Sequence, residues 1–342
     1  MTQSLTRALA TLGWKEGDPG FWTGGERPGR VSIMHGSAAE VIWFPGDEEA
    51  ETTVFELRRD LNLRPVAGDW VAIEDGDLTR VAERRTTLKR PDPNGKDVQV
   101  MAAGIDTVLI VLPVDLGLNP KNLERLAIMA WDSGADPLVV LTKADAAESP
   151  EEAVAEAEAA APGVPVLLTS SADGRGLDEL RARMGAGTTT TMLGASGAGK
   201  TSLLNALEGH TEAVAHVSRD GQGRHTTTTR KLYRLASGGV LLDLPGIRSL
   251  DLLVDDEALG ETFADITALA ASCRFADCSH EGDQGCAVEA AVAAGTLPER
   301  RLASWRAIRR EMAYQARRND PAAMAAERQK WKQLSKSTRK PR

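Results

Sequence analysis

Two rhythms of apolar residues divide most of the chain. Up to about residue 98, short alternating runs such as "GRVSIMHGSAAEVIWFPG", "TTVFELRR" and "AGDWVAIEDGDLTRVAE" are separated by turn residues. Alternation of period two with frequent turns predicts a small antiparallel barrel or sandwich. From about residue 104 the rhythm changes. "IDTVLIVLPV", "DPLVVLT" and "VPVLLTS" are unbroken apolar runs, the pattern of strands buried on both faces. Helical stretches separate them. Asn119-Pro120 opens one, an N-cap followed by proline at the first helical position, with Leu123, Leu126, Ala127 and Ala130 on one face. "SPEEAVAEAEAAA" opens at Ser149 with Glu152 spaced for a capping box, and "LDELRARM" follows. "TTTMLG" and "GVLLDLPG" are further strands. Strands alternating with helices predict a parallel sheet covered by helices on both faces. After about residue 255 the strand pattern ends, and Ala- and Arg-rich helical sequence runs to Arg342.

Composition adds a class and an asymmetry. The 342 residues are 42% hydrophobic and 26% charged, as in a soluble globular protein with room for two or three domains. No run approaches the ~20 apolar residues of a membrane span, and "MTQSLTRALATLGW" has no apolar signal core, so a cytoplasmic protein without membrane contact is expected. The net charge of −8 argues against nucleic acid as a partner. Its distribution argues the other way. Residues 299–342 hold fourteen Lys/Arg against four Asp/Glu, a net +10, which leaves −18 on residues 1–298. A basic arm for an anionic partner fits, as does a solvated basic helix. Basic residues also gather late in the first segment, at Arg80, Arg84, Arg85, Lys89 and Arg90, which makes an oligonucleotide-binding (OB-like) barrel one reading of it.

The chemistry is carried by loops at predicted strand ends. Gly194-Ala195-Ser196-Gly197-Ala198-Gly199-Lys200-Thr201, followed by Ser202, satisfies GxxxxGK[ST] between a strand and a helix. Backbone N–H groups of such a loop cradle phosphates, Lys200 offsets charge on the β- and γ-phosphates, and Thr201 supplies a hydroxyl to Mg²⁺. Asp243-Leu-Pro-Gly246 closes a later strand, where an aspartate holds Mg²⁺ through water and a glycine N–H meets the γ-phosphate. The base reader lies upstream. Thr142-Lys143-Ala144-Asp145 ends "LVVLT", where nucleotide switches carry Asn-Lys-x-Asp. The Asp145 carboxylate accepts from both the N1 and N2 donors of guanine, which adenine lacks, and the Lys143 stem can lie over the ring. Thr142 replaces the commoner Asn with a hydroxyl that supplies only part of the amide's hydrogen bonding. Next, Thr169-Ser-Ser171-Ala172 ends the following strand, where a backbone N–H can meet the guanine O6. All the parts of a GTP site are present, but the base loops precede the phosphate loop.

Cys273-x4-Cys278-x-His280-x5-Cys286 offers three thiolates and one imidazole within fourteen residues. An odd number of cysteines closes no disulfide framework, and four such ligands complete a tetrahedral structural zinc site, one per chain. The plainer reading is three free cysteines near a surface histidine.

Together these features resemble the circularly permuted GTPases known as ribosome small-subunit-dependent GTPase A. The resemblance spans nearly the whole chain: a barrel with "GDW" at Gly68–Trp70, the permuted nucleotide domain, and a cysteine-rich helical end whose four ligand positions match the family's zinc site. It implies an OB-like barrel over 1–98, a circularly permuted P-loop GTPase domain over 99–255, and a zinc-binding helical domain with a basic tail over 256–342. It also implies GTP hydrolysis coupled to late maturation of the small ribosomal subunit, with that subunit and its rRNA as partner and a monomer as the working form. A nucleotide-gated RNA-binding protein with negligible turnover is the alternative. The family's switch stretch is matched by "GRHTTT" at Gly223–Thr228. One hydroxyl among Thr226–Thr229, here assigned to Thr227, is expected on Mg²⁺. Where many GTPases carry a water-orienting glutamine after DxxG, this chain has Ile247. His225 is the nearest candidate for that catalytic role, and a structural or RNA-phosphate contact is its other reading.

Overall fold

The computed structural model describes residues 2–15, 22, 25–91, 98–115, 117–208, 231–243 and 256–319. The chain divides into two compact units, Met1–Lys89 with Val100–Leu250, and Arg90–Gln99 with Asp251–Arg342.

The first unit holds two sheets. Strands β1 (Arg27–His35), β2 (Ala38–Trp43), β3 (Glu51–Glu56), β4 (Trp70–Glu74) and β5 (Asp77–Val81) form an antiparallel sheet in the order β3-β2-β1-β4-β5. Register shifts at Val31/Ile33 and Ala72/Ile73 interrupt the pairing, and irregularities of this kind bend and twist a sheet. The sheet curls until its edge strands β3 and β5 come into contact, making a half-barrel. Alternate residues Val31, Val41, Phe55, Val71, Ile73, Leu78 and Val81 fill its inside. A helix absent from the sequence reading, α1 (Gln3–Ala10), adds a second cluster through Leu5 and Leu9, with Leu12, Trp14 and Phe44.

Strands β6 (Thr87–Pro91) and β7 (Val98–Ala103) pair as a separate ribbon. The second sheet then builds from β8 (Thr107–Pro113), β9 (Asp136–Thr142), β10 (Val166–Leu168), β11 (Thr189–Leu193), β12 (Lys231–Arg234) and β13 (Val240–Asp243), in the order β10-β9-β8-β11-β13-β12. All neighbours are parallel except β12, which runs antiparallel to β13 at the edge. The helices are α2 (Pro120–Asp132), α3 (Pro150–Ala160), α4 (Leu177–Arg183) and α5 (Lys200–Glu208). Leu109, Val111, Leu138 and Val140 share one cluster with Leu177 and Leu180 of α4 and Leu203, Leu204 and Leu207 of α5. Helix α2 also packs on β8 and β9 but adds nothing to that cluster, so strand alternation puts it on the other face. Its expected apolar face, Leu123, Leu126, Ala127 and Ala130, is buried, and Asn119 caps it by accepting from Asn122 N–H. The capping box expected on α3 does not form: Ser149 makes no side-chain cap bond. Pro150 at the first position has no N–H to satisfy, which reduces the need for one.

A buried arginine helps fasten the half-barrel to the second sheet. Arg30 of β1 is fully buried. Its guanidinium donates to Gly68 O (3.0 Å), Gly104 O (2.7 Å), Leu12 O and Thr189 Oγ1 (2.6 Å), and lies over the Trp70 ring. Thr189 begins β11, the strand that leads to the glycine loop, so the half-barrel is tied to the base of that strand. Three of the basic residues gathered late in the first segment are engaged within the protein, while Arg85 and Lys89 are exposed. Arg84 grips the buried Asp69 through both carboxylate oxygens (2.8 and 2.7 Å), Arg80 pairs with Glu26 (2.6 Å), and Arg90 donates to Gln99.

The second unit contains α6 (Asp256–Thr262), α7 (Ala264–Ala270), α8 (Ala287–Ala293) and α9 (Glu299–Asn319). Arg301 is buried in it, bound to Asp265 and Thr262 O and stacked on Phe263. No described helix is long and apolar enough to cross a membrane.

Candidate nucleotide site and metal centre

Parallel strands deliver their following loops to one end of a sheet, at the carboxyl ends where ligands of such folds bind. Three neighbouring loops meet there. The glycine loop leaves β11 at Leu193 and enters α5 at Lys200. Gly194 allows it to turn tightly over β8, since a Cβ there would stand 2.4 Å from Val111 O. Ala195, Ser196 and Gly197 are exposed at its crest, Ala198 is buried beneath, and Thr201 and Ser202 lie exposed on the first turn of α5. The crest of the loop and the helix start are therefore open to solvent, and the backbone N–H groups of such a loop are what an anionic phosphate needs. Lys200 Nζ donates back to Gly194 O (2.6 Å) and Ala195 O (2.9 Å), holding the ammonium at the loop's mouth. Burial lowers its pKa, and the charge of Asp243 opposes that. Burial likewise raises the Asp243 carboxyl, with Lys200 acting against it. Each group thus feels the other's charge, Lys200 at the start of α5 and Asp243 at the end of β13. Gly246, Thr227 and His225, with the rest of the switch stretch, lie outside the described residues.

The base loop follows β9. Thr142 is buried, and its Oγ1 donates to Ala198 O (2.6 Å), across to the glycine loop. A Cβ on Gly199 would sit 3.2 Å from the same oxygen, so the hydroxyl and the glycine fit each other closely. Lys143 adopts the left-handed conformation (φ 62°, ψ 37°), and Ala144–Ala146 form a single 3-10 turn. Ala144 N–H donates to Thr169 O, joining the base loop to the loop after β10. Asp145 is exposed, and its Oδ1 accepts from Ser170 Oγ at 2.6 Å.

Ser170 is a residue the sequence reading passed over. It is fully buried, and its Oγ accepts from the N–H groups of Ala172 (3.1 Å) and Asp173 (3.2 Å) while donating to Asp145. That network divides the expected pair Ser171 and Ala172. Both are exposed, but the Ala172 N–H is engaged by Ser170, whereas the Ser171 N–H makes no hydrogen bond among the described residues. The available signal was Ser170's position directly after Thr169 at the end of a buried strand. Asp115, two residues beyond β8, was also missed; its Oδ2 pairs with Lys143 Nζ at 2.8 Å.

In the second unit the four expected ligands converge. One donor atom each from Cys273, Cys278, His280 and Cys286 lies within 4.8 Å of every other. His280 Nδ1 is 3.6 Å from Cys273 Sγ and 3.4 Å from Cys286 Sγ. Zn–S of ~2.3 Å and Zn–N of ~2.0 Å at a tetrahedral angle place N and S about 3.5 Å apart. The donor set and spacing therefore fit zinc. The Cys273 and Cys286 sulfurs accept from Ala287 and Glu289 N–H, and Cys286 caps α8. A helix start favours the thiolate. Burial and the neighbouring sulfurs push the Cys278 thiol up to about 12, so the metal-free set resists holding every sulfur as a thiolate. Behind the site, the His280 ring packs on Trp305, and Arg306 joins His280 O to Glu289.

A P-loop between a parallel strand and a helix, with the Thr142–Asp145 and Thr169–Ala172 loops upstream of it in the chain, has the order of a circularly permuted nucleotide-binding domain. The profile of the RsgA GTPase family matches residues 81–253. The small ribosomal subunit biogenesis GTPase RsgA of Streptomyces coelicolor is 40% identical over 95% of this chain and 92% of its own. The protein of that name from Opitutus terrae is 37% identical over 97% of each. Among solved structures, YjeQ from Thermotoga maritima superposes with a TM-score of 0.66 at 27% identity, covering 84% of this chain and 99% of that one. YloQ, described as a circularly permuted GTPase, gives 0.64 at 26% identity, covering 86% and 98%. The chain belongs to the RsgA GTPase family, and it is a GTPase.

Proposed function

We propose that this GTPase couples GTP hydrolysis to late maturation of the small ribosomal subunit, and that it works in the cytoplasm as a monomer. The observation that carries the reading is the meeting of base loop, phosphate loop and Asp243 at one end of the parallel sheet, in a chain whose relatives are named small ribosomal subunit biogenesis GTPases. In this reading Asp145 reads the guanine N1 and N2 donors, the Ser171 N–H meets O6, and Lys143 covers the ring. Gly194–Lys200 hold the phosphates. Thr201, Asp243 and Thr227 hold Mg²⁺, which when bound offsets charge on the β- and γ-phosphates. Gly246 senses the γ-phosphate. The half-barrel, the permuted domain and the zinc-bearing end with its basic tail act as three functional parts, and the first and last meet ribosomal RNA largely through its phosphates.

Thr142 bridges the base and phosphate loops in this reading, so its loss should affect every guanine nucleotide alike. Thr142→Val keeps the shape but leaves Ala198 O without its donor. A buried acceptor left unpaired costs about 1 kcal/mol or more, so GDP and GTP affinities should both fall roughly fivefold. Calorimetric titration checks this, and a loss confined to GTP contradicts the bridging role.

The function itself is tested by measuring GTP hydrolysis with and without purified small subunits. Subunits should accelerate turnover, and non-hydrolysable GTP analogues should tighten subunit binding relative to GDP. By linkage, the subunit then favours the GTP-bound state. His225 is assigned the water-positioning role that Ile247 cannot fill. His225→Ala should lower subunit-stimulated hydrolysis at least about tenfold, or ~1.4 kcal/mol of barrier, with analogue binding little changed. Stimulated rates near normal in that variant would make His225 an RNA contact or a structural residue. Turnover indifferent to subunits would remove the ribosomal part of the proposal.

A further inference from the structure

Lys143 is held at both ends. Its backbone sits in the left-handed region at φ 62°, which a lysine adopts rarely and only when its surroundings impose it. Its ammonium, four carbons away, lies 2.8 Å from Asp115 Oδ2. Asp115 comes from a different strand end. It follows β8, which stands between β9, the source of the base loop, and β11, the source of the glycine loop. The segment is anchored there, since Val114 N–H donates to Thr142 O at 3.0 Å. The side chain of Asp115 is largely enclosed, and its Oδ1 makes no hydrogen bond among the described residues. A partly enclosed carboxylate with one oxygen unpaired is costly to maintain, and such groups in native structures point to a role other than stability.

We infer that Asp115 is a positioning residue for nucleoside recognition: by fixing the Lys143 ammonium, it sets the aliphatic stem of Lys143 as a preformed apolar wall for the purine face. The inference rests on the reading of Lys143 as part of the base site. A free lysine gives up side-chain rotamer freedom when it orders against a ligand, and fixing the side chain beforehand removes that cost from binding. Asp115 touches neither phosphate nor base in this arrangement. It acts through Lys143, on GDP and GTP equally.

The test is calorimetric titration of full-length protein with GDP, and with a non-hydrolysable GTP analogue, for wild type, Asp115→Asn, Lys143→Met and the double variant. Asn keeps the shape of Asp without its charge, and Met keeps most of the lysine stem without its ammonium. Asp115→Asn should weaken both nucleotides about two- to fivefold, while kcat at saturating GTP stays within about twofold. In the Lys143→Met background, adding Asp115→Asn should cost no further affinity, because the group it fixes is gone. The coupling is read from the four Kd values, so it holds even where a variant shifts the melting temperature. Unchanged affinity in Asp115→Asn overturns the inference, and so do losses that simply add in the double variant, which would mark Asp115 as an independent structural residue. Wild-type protein that fails to bind GDP at all would instead bring down the assignment of the base site.

Discussion

Cys286→Ser should strip the metal from the second unit and cost it its cooperative melting transition, while GDP binding by the first unit stays within about twofold. The expectation rests on a ligand loop that has no helix or strand of its own. Between α7 and α8, residues 271–286 contain no helix or strand. Cys286 is buried, accepts from Glu289 N–H and caps α8, so one sulfur both belongs to the four-donor cluster and starts a helix. His280 is held with a positive φ of 58°, a conformation its own backbone disfavours. Structural zinc contributes about 10 kcal/mol or more to the folding of small zinc domains. That is comparable with the whole stability of a typical domain, about 5–15 kcal/mol. A serine oxygen at position 286 keeps the cap but is a far poorer zinc ligand than a thiolate. Metal analysis of native protein should find about one zinc per chain, consistent with one four-ligand set, and the variant almost none. Calorimetry and hydrogen exchange should show the loss confined to residues 251–342. Native protein that lacks zinc yet melts as it does with zinc would end the assignment.

What the sequence made legible was whatever depends on local pattern. The buried strands Val108–Leu112 and Leu138–Thr142 read directly as apolar runs, because a parallel strand covered on both faces needs no polar alternation. The glycine loop and the cysteine cluster read from spacing, since each ligand set is contiguous in the chain. Helix α1 was readable in principle: Leu5, Leu9 and Leu12 recur at helical intervals, and all three are buried. What stayed hidden depends on partners distant in sequence. Arg30, Arg80, Arg84 and Arg301 look like surface charge in the chain, yet Arg30 and Arg301 are almost wholly enclosed and Arg84 is clamped on a buried aspartate. Charge alone does not reveal whether a guanidinium faces water or a backbone carbonyl. Asp115 and Ser170 belong to the same class. Each is ordinary in its own stretch of sequence and gains meaning only where the ends of β8, β9 and β10 come together.

With Asp145 as the proposed base reader, the network around Ser170 sets the outcome of changing it. Ser170 Oγ already accepts two backbone N–H groups, from Ala172 and Asp173, so its own proton is directed to position 145. In Asp145→Asn that proton still requires an acceptor. The side-chain amide must therefore turn its oxygen to Ser170 and its NH₂ outward, since the opposite orientation sets donor against donor. The outward NH₂ then confronts the guanine N2 amine, also a donor. Xanthine carries a carbonyl at that position and keeps its N1 donor, so the same amide becomes complementary to it. Losing a charge-assisted, two-bond contact and gaining a donor clash costs about 2–3 kcal/mol, so GDP affinity should fall roughly 30- to 150-fold. Xanthosine diphosphate should become the better ligand, reversing the wild-type order. Competition titrations of both nucleotides against wild type and variant measure this directly. The same geometry governs a second variant. Ser170→Ala removes the directing proton, so in the Asp145→Asn background it frees the amide to turn, and the preference for xanthine should shrink. A preference that persists undiminished in the double variant would mean that the orientation at position 145 is set by something other than Ser170.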